Sequence, residues 1–136
     1  MNSADTETRS VILEREMAHP PEKIWRALTQ PHLIGEWLMQ ADFEPREGHE
    51  FKFSADWGEI DCEVLALEPN RRLAYSWVSL GLDSVVTWTL TPIAAGTLLR
   101  MEQTGFRPGQ RQAFIGATRG WPQFLDRLEQ VLVSVD

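Results

Sequence analysis

Apolar and polar residues alternate along most of the first hundred positions of this chain, then switch to steps of three and four. Alternation predicts strands with one buried face, and the longer step predicts an amphipathic helix. Arg9 to Met17 reads as a strand with Val11, Leu13 and Met17 on one face, interrupted by Arg15. Pro20-Pro21 opens a short helix whose buried side is Ile24, Trp25 and Leu28, because proline is tolerated in a first turn. A second short helix starts at Pro31 and carries Leu33, Ile34 and Trp37, with Gly35 weakening its middle. Strands are then expected at Asp42 to Pro45 and His49 to Asp56, as a hairpin, and at Glu59 to Leu67. Three more follow at Arg72 to Val78, Ser84 to Thr91 and Thr97 to Thr104, separated by Pro, Gly and Asn turn residues.

After a loop at Phe106 to Gln110, Phe114, Ala117, Trp121, Phe124, Leu128 and Leu132 recur on one stripe of a long helix ending near Val133. Gly116, Gly120 and Pro122 fall inside it. An interior proline removes one hydrogen bond, so a bend near Thr118 to Trp121, or two separate helices, is expected. The glycines leave room for a sheet or a ligand to approach. Six or seven antiparallel strands and one long helix make a single α+β unit over residues 9–136, after a flexible tail at 1–8. A curved sheet wrapped around that helix leaves a hollow walled by the large side chains of alternate strand positions.

Composition narrows the possible partners. With 136 residues and a net charge of -7, the chain is one acidic domain that lacks the concentrated basic surface needed to bind a phosphate backbone. Nucleic acid is therefore excluded as a partner class. The lone Cys62 allows no internal disulfide and fits a reducing compartment, and no apolar run has membrane-spanning length, so a cytoplasmic location is expected. Six tryptophans are many for this length, and such rings anchor cores or line sites.

Few motifs carry chemistry. His19, His32 and His49 have no close spacing to one another or to Cys62, so no metal and no cofactor is expected. No nucleophile elbow or phosphate loop occurs, and no catalytic residue is assigned. Glu59, Asp61 and Glu63 share one strand face and read as a solvated row. Cys62 reads as a buried inert thiol. Polar groups available inside a hollow are Arg15, Asp56, Tyr75 and Gln103. The expected ligand-binding set is Trp57, Tyr75, Trp77, Trp88, Met101, Gln103, Phe114 and Trp121.

Several segments resemble a known family. Pro21-Glu22-Lys23-Ile24-Trp25-Arg26-Ala27-Leu28-Thr29, Glu68-Pro69-Asn70-Arg71-Arg72-Leu73-Ala74-Tyr75-Ser76-Trp77, Gly96-Thr97-Leu98-Leu99 with Gln103-Thr104-Gly105-Phe106, and Gly120-Trp121 with Leu125 and Leu128 occur in the order found in the START-like (SRPBCC) superfamily. They are similar to its branch of homologues of the activator of the heat-shock-protein-ninety ATPase. The resemblance spans about Arg9 to Val133 and implies a helix-grip fold. The resemblance says little about chemistry; the hollow and its large rings point to a binder of a hydrophobic or amphipathic small molecule, held between sheet and final helix. A cyclase- or hydrolase-like enzyme using Asp56, His49 or Tyr75 in the same hollow is the second possibility, and a co-chaperone-like interaction module the third. A monomer or a homodimer fits either.

Overall fold

The computed structural model of the protein describes residues 8–135; the tail expected to be flexible at 1–8 lies outside them except for residue 8. β1 (Arg9–Met17) is followed by α1 (Pro21–Thr29), α2 (Pro31–Trp37), β2 (Gln40–Ala41), β3 (Glu50–Ala55) and β4 (Gly58–Glu68). Then come β5 (Arg72–Ser79), β6 (Leu82–Ile93), β7 (Gly96–Phe106) and α3 (Arg111–Ser134). Among the described residues the strands form one curved antiparallel sheet in the order β1-β7-β6-β5-β4-β3-β2. β1 and β2 occupy opposite edges, so α1 and α2 carry the chain from one edge to the other. This is the expected α+β helix-grip architecture.

Local chemistry sets the element boundaries. Pro21 occupies the first turn of α1, where its missing N–H costs nothing, and Glu22 faces the positive end of the helix dipole. Pro31 then forbids a helical Gln30, whose ψ of 120° ends α1 and caps α2. The strand expected at Asp42 to Pro45 is absent: β2 is two residues earlier, and the chain from 42 to 49 is a loop. The Asp42 carboxylate accepts the Lys52 backbone N–H at 2.8 Å, and Phe43 plugs the core edge-on against Phe51. One inward phenylalanine thus mimicked an alternating strand.

Cross-strand pairs place the inward residues in layers. Trp88 pairs with Met101, Leu90 with Leu99, Val86 with Gln103 and Leu73 with Trp88, all buried. α3 closes this face through Trp121, Leu125, Leu128 and Leu132. Leu125 was absent from the expected stripe, whereas Phe114, Ala117 and Phe124 are only partly buried. α3 is continuous through Pro122, so the two-helix alternative is overturned. The hydrogen bond that Pro122 cannot donate would have reached the carbonyl of Thr118, an exposed residue where water can serve instead. Arg15 does not enter a hollow. Its Nη1 lies 2.7 Å from Asp126 Oδ1, tying β1 to α3.

Candidate functional site

The centre of the sheet–helix layer is filled by rings. Phe53 and Trp77 have centroids 5.2 Å apart, Trp77 and Trp121 5.3 Å, Trp88 and Trp121 5.7 Å, and Trp37 and Trp88 5.6 Å. These are ordinary tilted and edge-to-face packing distances. Polar atoms within the layer are paired. Trp88 Nε1 donates to Tyr75 Oη at 2.9 Å, Trp37 Nε1 to the Ala27 carbonyl at 2.8 Å, and Trp121 Nε1 to Gln103 Oε1 at 2.8 Å. Gln103 Nε2 donates in turn to Ser84 Oγ at 3.0 Å, and that hydroxyl donates to the Trp77 carbonyl at 2.8 Å. Burial pushes the Tyr75 phenol well above its usual range.

Open space begins at one end of this packed layer. A groove of about 940 Å³ runs between α3 and the tips of two hairpins. Its floor on α3 is Ala113, Gly116, Ala117 and Gly120, whose spacing of three and four keeps them on one face. Trp77, Trp121 and Phe124 bound it on the inner side, with Gln103 at its base. Leu38 and Met39, following α2, contribute further apolar surface.

The rim carries the most exposed large apolar side chains that face the groove. Asp56 and Trp57 form the two-residue tip between β3 and β4, and Trp57 is 60% exposed. Leu80 and Gly81 form the tip between β5 and β6, where Ser79 pairs with Leu82. A tip of the type I′ form, as here, has positive φ at both residues and favours Asn-Gly. Here a leucine takes φ 51° and is 95% exposed, a costly conformation for a residue that packs against nothing. Gln110 Nε2 donates to the Gly81 carbonyl at 2.9 Å and so fastens this tip to the start of α3.

The floor glycines are not explained by packing. A Cβ built on Gly116 or on Gly120 meets no atom within 4 Å, so neither sheet nor loop approaches them. Gly105 differs: a Cβ there would stand 2.6 Å from the Asp83 carbonyl oxygen, and its φ of 114° suits only glycine. Of the two occupants for which the helical glycines leave room, a sheet element is not the one that comes close. They leave the groove open.

Of the expected ligand-binding residues, Trp57, Trp77, Gln103 and Trp121 line this groove. Tyr75, Trp88 and Met101 stand in the packed layer behind it, nearly or fully inaccessible. Phe114 is on the other side of α3, against Phe106 and under the Arg9 guanidinium. Sequence reasoning missed Leu80 and Ala113, and it left room for a ligand at Gly116 and Gly120 without naming them, or Ala117, as binding residues. The available signals were a Leu-Gly pair at a turn that prefers Asn-Gly, and small residues at helical spacing.

The other polar candidates do not converge on the groove. Asp56 is exposed at a hairpin tip, and Tyr75 is sealed in the core. His49 stacks on Phe51, with Nε2 3.0 Å from the Asp42 carbonyl, and belongs to the 42–49 loop. Lys52 lies 3.3 Å from Asp61 and 3.6 Å from Glu59, which are exposed like Glu63. No cluster of three metal-ligating side chains occurs among the described residues. Cys62 is buried, and burial pushes its thiol up to about 12.

A curved antiparallel sheet gripping one long helix, with a hollow at the helix's N-terminal half, defines a START-like protein. Within that class, residues 18–133 match the model of the Activator of Hsp90 ATPase homolog 1-like protein family, and the chain belongs to that family. A crystal structure of a Mesorhizobium loti protein shares 60% identity and superposes with a TM-score of 0.91, covering 94% of this chain and 99% of that one. CalU16 from Micromonospora echinospora is 30% identical with a TM-score of 0.81, over 93% of this chain and 78% of its own. DynU16, from the dynemicin biosynthetic locus, is 28% identical with a TM-score of 0.82, over 92% of this chain and 47% of its own. No curated protein matches the chain. Among the described residues no helix is long and apolar enough to cross a membrane.

Proposed function

We propose that the chain binds a hydrophobic or amphipathic small molecule in the groove between α3 and the two hairpin tips. The observation that carries this is the pairing of an open glycine floor with exposed apolar side chains at the rim. Gly116 and Gly120 weaken α3 by roughly 1 kcal/mol each relative to alanine, yet nothing in the fold fills the space they leave. Leu80 holds a disfavoured backbone conformation to present its side chain to solvent beside the same space. Both costs are recovered when an occupant covers the floor and the rim. A volume of about 940 Å³ suits a drug-sized ligand.

One solved relative fits a small-molecule setting, since DynU16 comes from the dynemicin biosynthetic locus. Affinity would come from apolar area at roughly 25 cal/mol per Å², less the cost of immobilising the ligand. Trp57 is a reporter at the rim. Titration of the protein with a panel of fatty acids, flavonoids and polycyclic aromatics, followed by tryptophan fluorescence, tests the proposal. Saturable quenching that is weakened by Trp57→Phe and by Gly116→Leu is expected. No saturation below about 1 mM across the panel would overturn it.

A further inference from the structure

We infer that the occupant of this groove carries a negative charge, such as a carboxylate, which pairs with Arg111 or Arg127. The inference rests on the ligand-binding reading above and adds the ligand's charge. The chain holds 20 acidic and 13 basic residues, so a random patch of its surface should carry more carboxylates than cations. The groove reverses that balance: its lining includes Arg111 and Arg127 and, among the described residues, no aspartate or glutamate.

Neither arginine is committed to a carboxylate, and Arg111 borders both this groove and the space on the far side of α3. Arg15, Arg46, Arg72 and Arg100 each lie within 4 Å of a carboxylate, as does Lys52. Arg111 and Arg127 have no ion-pair partner among the described residues. The Arg127 guanidinium lies 5.7 Å from the centroid of Phe124, which leaves its N–H donors available for an anion. The two residues are sixteen positions apart on α3, about 24 Å at 1.5 Å per residue, so they flank the small-residue floor from its two ends. An elongated apolar body laid along Ala113, Gly116, Ala117 and Gly120 therefore reaches a guanidinium at its end. A cationic head would meet like charge there, and a neutral one would gain little.

The experiment uses three probes with one ten-carbon body: decanoate, decanol and decylamine, titrated by calorimetry and tryptophan fluorescence at pH 7 and low salt. Decanoate is expected to bind about fivefold tighter than decanol, the scale of an exposed charge pair, with decylamine weakest. The preference should fade in about 1 M salt, where the screening length shrinks to about 3 Å. In the double variant Arg111→Gln/Arg127→Gln, decanoate and decanol should bind equally, because the charge pair that separates them is gone. The single variants show which end holds the acid. Equal binding of the three probes by the unmodified protein overturns the inference while leaving the ligand-binding reading intact. A preference for decanoate that survives in the double variant also overturns it, since the charge would then be read elsewhere. If none of the three binds, the inference of an acid with an elongated apolar body is overturned, while the ligand-binding reading is decided by the wider panel of flavonoids and polycyclic aromatics.

Discussion

Replacing Gly116 and Gly120 together by alanine should stabilise the protein and weaken ligand binding. Each glycine lies within α3, and a Cβ at either position meets no atom within 4 Å, so the new methyl groups cause no clash. Alanine is favoured over glycine in a helix interior by about 0.8–1.0 kcal/mol per site, largely because the unfolded chain loses freedom. The pair should add roughly 2 kcal/mol if the sites are independent, although four residues apart they are close enough for modest coupling. For a domain of this length that corresponds to a rise in Tm of about 7 °C. Urea unfolding, monitored by far-ultraviolet circular dichroism, gives the free energy, and the same samples give affinity for a bound fatty acid. Stabilisation with weaker binding is the expected combination. A double variant less stable than the parent would refute the reasoning, because it would show that the floor is filled in solution and that the glycines serve packing.

Further substitutions separate structural from functional roles. Leu80→Asn should raise stability by about 1 kcal/mol, since asparagine tolerates positive φ, and should lower affinity by removing a rim side chain; unchanged affinity would exclude Leu80 from the site. Gln103→Leu should destabilise by about 2 kcal/mol, because the buried Trp121 N–H loses its acceptor, and a loss below about 0.5 kcal/mol in chemical denaturation would count against the network. Cys62 should resist alkylation in the native state. With its thiol pushed up to about 12, the thiolate fraction at pH 8 falls about a thousandfold relative to an exposed cysteine, so labelling should require unfolding; rapid native labelling by iodoacetamide would contradict this.

The fold was legible because its strongest determinants are periodic or are prolines. Alternation in Ile60, Cys62 and Val64 and in Leu73, Tyr75 and Trp77 placed β4 and β5 with their inward faces, and Pro21 and Pro31 placed both short helices. The misread strand at Asp42 to Pro45 had the right alternation but lacked a neighbour to bond, since the Asp42 carboxylate takes the Lys52 N–H that an adjoining strand would have used. The site was less legible. Large rings are equally suited to filling a core and to lining a cavity, and pattern alone could not separate Trp88 and Met101, which are packed, from Trp57, which is exposed. Small residues gave the better signal. Gly116 and Gly120 oppose helix propensity, and a cost paid where no contact demands it marks space kept clear.

The central claim is that the open groove, and not the packed layer behind it, receives the ligand. Amide chemical-shift mapping during titration of the isotope-labelled protein with decanoate tests this most directly. The account predicts saturable shifts concentrated at Leu80, Leu82, Gly109, Ala113, Gly116 and Gly120, all bordering the groove, with little change near Glu59, Asp61 and Glu63 on the outer face of β4. Shifts gathered instead around Tyr75, Trp88 and Met101 in the packed layer would contradict it.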